Sequence, residues 1–329
     1  MFSTMKRIAL ALLVAVTAQS VAYAEEVKQL NFGIISTDST QVLRDTWTPF
    51  LEDMSKKMGV EVKPFFASDY AGIIQAMRFD KVDVAWYGNK SAIEAVDRSG
   101  GEVFAQTVDN EGNPGYWSLL LAHKDSKLNS VEDIIKYKGE LTFGNGDPNS
   151  TSGFLVPSYY VFAKNDLDPK KAFKRVTNAN HETNALSVAN QKVDFATNNT
   201  ENLRRIEEKF PEKFENIKVI WQSPLIPSDP IVWRKNLPES AKTKIYDFFM
   251  TYGKSGDKQE LANLDRLQWL PFRASSDDQL LPIRQLSLFK DRLKMIKSGS
   301  QDPMALAEID EKLAVLNRRM AALSVLASN

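Results

Sequence analysis

The chain contains no cysteine, which rules out disulfide staples, thiolate metal sites and a lipid-attachment thiol. It has two histidines, too few for an all-histidine zinc site. Lys plus Arg and Asp plus Glu both number 42, a balance that leaves no electrostatic footprint for nucleic acid or an anionic membrane. After the N-terminal segment, no stretch approaches the roughly 18 uninterrupted apolar residues of a membrane span. The Gly-x-Ser-x-Gly elbow of a serine hydrolase is missing. Around the turn at 144–153 there is neither the Gly-Lys-Ser/Thr of a nucleotide loop nor the third glycine of a dinucleotide fingerprint.

The first 24 residues do carry a pattern. Lys6 and Arg7 precede an apolar run from Ile8 to Val16, and Ala22-Tyr23-Ala24 offers small residues flanking a cleavage point. The mature chain is expected to begin at Glu25, free in a Gram-negative periplasm. Of 329 residues 305 then remain, enough for about two domains, with 43% hydrophobic residues to supply cores. Losing Lys6 and Arg7 takes Lys plus Arg from 42 to 40 against 42 acids, a formal net charge of about −2.

From Leu30 onward, short strand-like runs alternate with amphipathic helical stretches, the rhythm of an α/β sheet with helical crossovers. Strands are expected at 29–35, 61–67, 82–87, 102–108, 117–122, 141–144, 174–178, 193–197 and 218–221. Lys81-Val82-Asp83-Val84-Ala85 reappears 111 positions later as Lys192-Val193-Asp194-Phe195-Ala196, each copy after a helical stretch, which reads as two similarly built units. After Trp233 the strand signals fade. Helix starts are marked at Pro238-Glu239-Ser240, Ser276-Asp277-Asp278 and Asp302-Pro303.

The most informative segment runs from Gly144 to Gly153, leaving an apolar strand and entering a helical run from Phe154 to Lys164. A helix start leaves backbone N–H groups unpaired at the positive end of a dipole, so it holds an anion without a cationic side chain. One hydroxyl would cap that helix, whereas Ser150, Thr151 and Ser152 supply three. Neutral donors hold a tetrahedral oxyanion by geometry and still release it, which suits a carrier. An enzyme acting on the same group would more often add a metal or a cationic clamp.

Residues just past strand ends are the ones to inspect in an open α/β sheet. Tyr70 and Tyr116 sit at such ends, where a phenol either fills core or donates into a cleft. Glu201 and Asp229 follow later strand segments. Singly each reads as a solvated acid, but as a pair opposite an anion site they receive an ammonium. His181, at another crossover end, is as well explained by capping as by ligand contact. Ser152, His181 and Asp229 could be drafted as a hydrolytic triad, although the hydroxyl cluster reads better as donors than as one activated nucleophile.

Seven segments together resemble the periplasmic phosphonate-binding proteins of phosphonate ABC importers, within the type II periplasmic binding-protein fold. They are 30–36, 69–74, 82–88, 144–152, His181-Glu182-Thr183-Asn184-Ala185, 197–202 and Asp229-Pro230-Ile231-Val232-Trp233-Arg234. The resemblance implies an α/β protein of two lobes, each a mostly parallel sheet flanked by helices. The first would span about 25–116 plus 228–329, with additional C-terminal helices from about 276, and the second 117–227. It implies that Tyr70, Tyr116, Ser150, Thr151 and Ser152 hold the phosphonate, and that His181, Glu201 and Asp229 meet an amino end. It also implies a membrane permease with its ATPase as partner, and no cofactor or metal.

The leading reading is therefore a transport receptor for 2-aminoethylphosphonate. A receptor for phosphate, phosphite or another small oxyanion is the alternative, and an enzyme processing phosphonates or phosphate esters is the third. At the C-terminus, Leu306, Ile309, Leu313, Leu316, Met320 and Leu323 form a narrow stripe that would pair two copies or pack on the preceding helix, and the polar flanks incline the reading toward a homodimer.

Overall fold

The structure is a computed structural model that describes residues 27–297 and 302–327. The expected signal segment and its cleavage point lie outside the described residues. Thirteen strands form within them: β1 (Gln29–Ile34), β2 (Glu61–Phe66), β3 (Val84–Trp86), β4 (Gly101–Asp109), β5 (Gly115–Tyr116), β6 (Ser118–His123), β7 (Thr142–Asn145), β8 (Arg175–Asn178), β9 (Phe195–Asn199), β10 (Ile217–Gln222), β11 (Ile226–Pro227), β12 (Pro230–Arg234) and β13 (Trp269–Ala274).

They build a six-stranded sheet in the order β13-β4-β12-β3-β1-β2 and a five-stranded sheet in the order β10-β6-β9-β7-β8. Most strands of each sheet share a direction. In the first, β12 and β13 run against the others, and in the second only β6 does. The chain crosses between the sheets twice, at β5 and β11, which pair antiparallel. A Cβ at Gly115 would collide with the Ile226 carbonyl, so the crossing strands approach this closely only because residue 115 is glycine.

Each of the nine strands expected from the sequence is present, shifted by a residue or two at its ends. Four were not anticipated. β5 and β11 are two residues each, too short for a periodic signal. β13 carries Pro271, which argues against a central strand, and it lies at the sheet edge where the ladder slips between Leu270 and Arg273. β12 returns after the second crossing to insert antiparallel between β3 and β4.

The five-residue echo is structural. Asp80 and Gln191 both turn with φ near +55° (54° and 55°), and Lys81 and Lys192 each donate from the backbone to the carbonyl five residues back at 2.8 Å. Asp83 then accepts from Asn31 N at 2.7 Å, and Asp194 from Thr142 N at 2.6 Å. Tyr70 and His181, also 111 apart, are the first residues of corresponding helices capped by Asp69 and Asn180.

The first sheet's core is aromatic, with Trp47, Trp86 and Trp269 in mutual contact beside Phe50 and Phe249. The second sheet is covered on both faces, by Phe143, Phe162 and Phe195 on one side and Ala185, Val188 and Ile206 on the other. A fourth cluster joins Tyr116 and Ile226 at the crossings to Leu155 and to Ile283 and Leu286 of the helix Leu281–Lys297. The last helix, Pro303–Ala327, lays its stripe toward that same helix. Leu313 is buried, the other five stripe residues are half-buried, and Arg292–Asp310 and Gln285–Asn317 bonds tie the two helices together.

Candidate functional site

Between the two sheets lies a small, nearly closed cavity lined by Ile35, Thr37, Tyr70, Trp86, Gly88, Tyr116, Ser150, Thr151, Ser152, His181, Asn199, Glu201, Arg205 and Asp229. All eight residues nominated from the sequence meet here. They arrive from strand ends and helix starts of both sheets, where side chains converge without spending any interior of a regular element.

The hydroxyl triplet opens a helix that begins at Thr151 and makes wide turns over Thr151–Leu155 and Ser158–Ala163. Each hydroxyl already accepts one bond: Ser150 Oγ from Gly153 N at 2.9 Å, Thr151 Oγ1 from Lys90 N at 2.8 Å, and Ser152 Oγ from Asn199 Nδ2 at 3.0 Å. With an oxygen lone pair taken on each, the remaining O–H protons are the groups left to donate. All three residues are buried. The segment is therefore a cluster of donors at a helix start, suited to an oxyanion.

Opposite stand two buried carboxylates. Asp229 Oδ1 accepts from Tyr116 Oη at 2.9 Å and Oδ2 from Trp86 Nε1 at 3.2 Å. Burial pushes the Asp229 carboxyl well above the usual carboxylate range and repulsion from Glu201 adds to it, against the pull of the Tyr116 and Trp86 bonds. Burial also raises Glu201, with the Arg205 charge opposing. Two acids crowded into a low dielectric are costly, and the Arg205 charge offsets that cost only in part, since both carboxyls stay raised. Burial keeps Tyr70 and Tyr116 far above the ordinary phenol value, so both remain protonated donors.

The two ends are close. A Cβ on Gly88 would stand 3.3 Å from Thr151 Oγ1 and 3.9 Å from Asp229 Oδ1, so those two oxygens are at most 7.2 Å apart (3.3 plus 3.9).

Two of the nominated residues already have protein partners inside the cavity. Tyr116 spends its proton on Asp229, and His181 lies on the hydroxyl side, with Nε2 3.4 Å from Ser150 Oγ and 3.3 Å from Asn199 Nδ2. Burial lowers His181 to about 4, so its ring is neutral at pH 7, and its Nδ1 has no hydrogen-bond partner. No carboxylate orients it, so Ser152, His181 and Asp229 do not assemble as a triad.

Ile35, Thr37, Trp86, Gly88, Asn199 and Arg205 line the cavity without having been singled out. Trp86 ends β3 and Gly88 lies two residues past it, and Arg205 is four residues beyond Glu201 on the helix Thr200–Lys209, one turn along the same face. Those spacings were the available signals.

Further contacts hold the two sheets together around the cavity. Tyr70 N donates to Asp147 Oδ2 at 3.2 Å, Ser39 N and Oγ both donate to Glu182 Oε2 at 3.3 Å, and Asn202 Nδ2 donates to Asp38 Oδ1 at 2.7 Å. Glu182 thereby rests on the N-terminus of the helix Thr40–Met58.

A family model described as ABC transporter, phosphonate, periplasmic substrate-binding protein matches residues 32–280. A phosphonates-binding periplasmic protein of Escherichia coli strain K12 is 61% identical over 318 residues, covering 95% of this chain and 93% of that protein. A crystal structure described as a binding protein component of an ABC phosphonate transporter of Pseudomonas aeruginosa superposes with a TM-score of 0.88 at 58% identity, covering 91% of this chain and all of that one. A probable phosphite-binding protein of an ABC transporter from Prochlorococcus marinus is 27% identical, over 60% of this chain and 67% of its own length.

Proposed function

This chain belongs to the family of periplasmic substrate-binding proteins of phosphonate ABC transporters, and from that premise we propose that its interlobe cleft selects 2-aminoethylphosphonate. The observation that carries the reading is the pairing of a hydroxyl-rich helix start with two buried carboxylates in one cavity, Asp229 Oδ1 lying at most 7.2 Å from Thr151 Oγ1 (3.3 plus 3.9). Ser150, Thr151, Ser152 and Tyr70 take the phosphonate oxygens, and Glu201 and Asp229 take the ammonium. Tyr116 braces Asp229, and His181 braces the hydroxyl loop. The short span suits an amine one or two carbons from phosphorus and leaves no room for a long chain.

The lobes, 25–116 with 228–329 and 117–227, close over the ligand, and the closed form is what the permease receives. The phosphite-binding relative keeps a plain oxyanion receptor as the second reading. Two buried carboxylates disfavour it, because phosphate or phosphite brings no cation to offset them.

Calorimetric titration of the mature protein with 2-aminoethylphosphonate, methylphosphonate, phosphite and phosphate decides between them. Tightest binding of the aminophosphonate is expected, and equal or tighter binding of phosphate or phosphite refutes it. Self-association through the last helix is a separate expectation. Its stripe is spent on Leu281–Lys297, which leaves exposed Met304, Val315 and Leu326 for a second copy to cover. A monomeric mass by light scattering at high micromolar concentration ends that idea.

A further inference from the structure

The cavity holds one cationic side chain among its lining residues, and neither end of the proposed ligand uses it. Arg205 is 13% exposed. It also lines an adjoining cavity of about 20 Å³, beside Thr37, Asp38 and the three packed tryptophans, with room for about one water. Its ionic neighbour is Asp38, reached through Nε at 3.4 Å. That contact is not a hydrogen bond: Arg205 Nε is buried with no partner. Asp38 is already engaged, accepting from Thr37 Oγ1 and Asn202 Nδ2 at 2.7 Å each.

The preceding residue differs at its terminal nitrogens, since Arg204 donates from Nη2 to Asp109 at 2.7 Å and from Nη1 to Asn110 at 2.8 Å, although its Nε, like that of Arg205, is buried without a partner. Arg205 donates no hydrogen bond to any described residue. Its Nε–H, buried without an acceptor, is costly to leave unspent, and the terminal N–H groups remain free to take an acceptor that arrives from elsewhere.

We infer that Arg205 forms a carboxylate subsite, so that the cleft also takes aminoalkylphosphonates bearing a carboxylate on the amine-carrying carbon. The inference rests on the aminophosphonate reading of the same cleft. An α-amino acid group presents an ammonium and a carboxylate from a single carbon. Glu201 and Arg205, one helical turn apart, present an acid and a guanidinium to the same space. Guanidinium and carboxylate match edge to edge through two parallel bonds, which a lysine does not reproduce. The compound 2-amino-3-phosphonopropionate keeps the phosphonate and amine two carbons apart, as in 2-aminoethylphosphonate, and adds only the carboxylate. The bland alternative is that Arg205 is merely a counter-charge for Asp38, Glu201 and Asp229.

Titrating wild type, Arg205→Gln and Arg205→Lys with 2-amino-3-phosphonopropionate, 2-aminoethylphosphonate and methylphosphonate tests this. Wild type is expected to bind the two aminophosphonates within about tenfold of each other. Arg205→Gln is expected to weaken the carboxylate-bearing ligand by roughly 10- to 150-fold more than 2-aminoethylphosphonate, the range of one charged hydrogen-bonding partner. Arg205→Lys should recover only part of that loss. Equal weakening of both aminophosphonates by Arg205→Gln makes Arg205 a counter-charge and overturns the inference. So does a wild type that prefers 2-aminoethylphosphonate over its carboxylated analogue by a factor of about a hundred or more, a comparison that needs no variant to fold. If wild type does not prefer 2-aminoethylphosphonate to methylphosphonate, the amine reading itself fails, and this one falls with it.

Discussion

Replacing Asp229 with asparagine changes charge at the amine end with little change of shape. Asp229 is buried, and its two oxygens accept from Tyr116 and Trp86. Asparagine can satisfy both neighbours: its carbonyl accepts from the indole N–H, which can only donate, while its amide donates to the Tyr116 oxygen, which can accept. The fold should therefore survive. It should gain stability without ligand, because the variant removes a buried carboxyl whose ionisation burial and Glu201 both oppose.

Binding should move the other way. An ammonium deprived of one buried carboxylate loses about 2 to 5 kcal/mol, some 30- to 5,000-fold in Kd for 2-aminoethylphosphonate. Methylphosphonate, which has no amine, should change by less than about threefold, the size of a few tenths of a kcal/mol. Calorimetry at pH 7 reads both ligands, and thermal denaturation reads the unliganded protein. Equal losses for the two ligands would refute the reasoning, since Asp229 would then support the fold rather than read the amine. A destabilised unliganded variant would refute the stability half separately.

Thr151→Ala removes a hydroxyl that also accepts from Lys90 N across the cleft, so every phosphonate, methylphosphonate included, should weaken by about 1 to 3 kcal/mol; unchanged titrations would dismiss the anion site. Glu182→Gln leaves an acceptor on Ser39 but removes the charge at a helix N-terminus, which should weaken all ligands by about 2- to 10-fold through faster release in stopped-flow fluorescence. His181, lowered to about 4 from an ordinary 6.5, contributes stability that is complete above pH 6.5 and is lost as pH falls toward 4, about 3 kcal/mol in all. Urea denaturation should therefore show the gap between wild type and His181→Gln narrowing from pH 7.5 to 4.5; a constant gap contradicts a buried neutral ring. Asp229 and Glu201, raised by burial, act with the opposite sign in both proteins, so the comparison cancels them.

Much of the fold was legible because its signals are local. A buried strand between turns, or a helix cap such as Asp69 or Asn180, is written within a few consecutive residues. The echo at a spacing of 111 was readable for the same reason, and it carried two equivalent helix starts, Tyr70 and His181, to one cavity. The Ser150-Thr151-Ser152 helix start needed no knowledge of distant partners, since dipole and hydroxyls lie in one segment.

What the sequence did not decide was which group each side chain would meet. That Tyr116 spends its proton on Asp229, and that His181 sits against Ser150, depend on residues more than 30 positions apart being brought within about one hydrogen-bond length. The same holds for the stripe of the last helix, whose apolar period is equally good for a second copy or for its own neighbour, and which the fold lays on Leu281–Lys297. Arg205 illustrates the limit most sharply. Spacing puts it on the face of Glu201, but only the packing of Asp38 against Thr37 and Asn202 leaves its guanidinium without a hydrogen bond, because a donor is unspent only relative to everything folded around it.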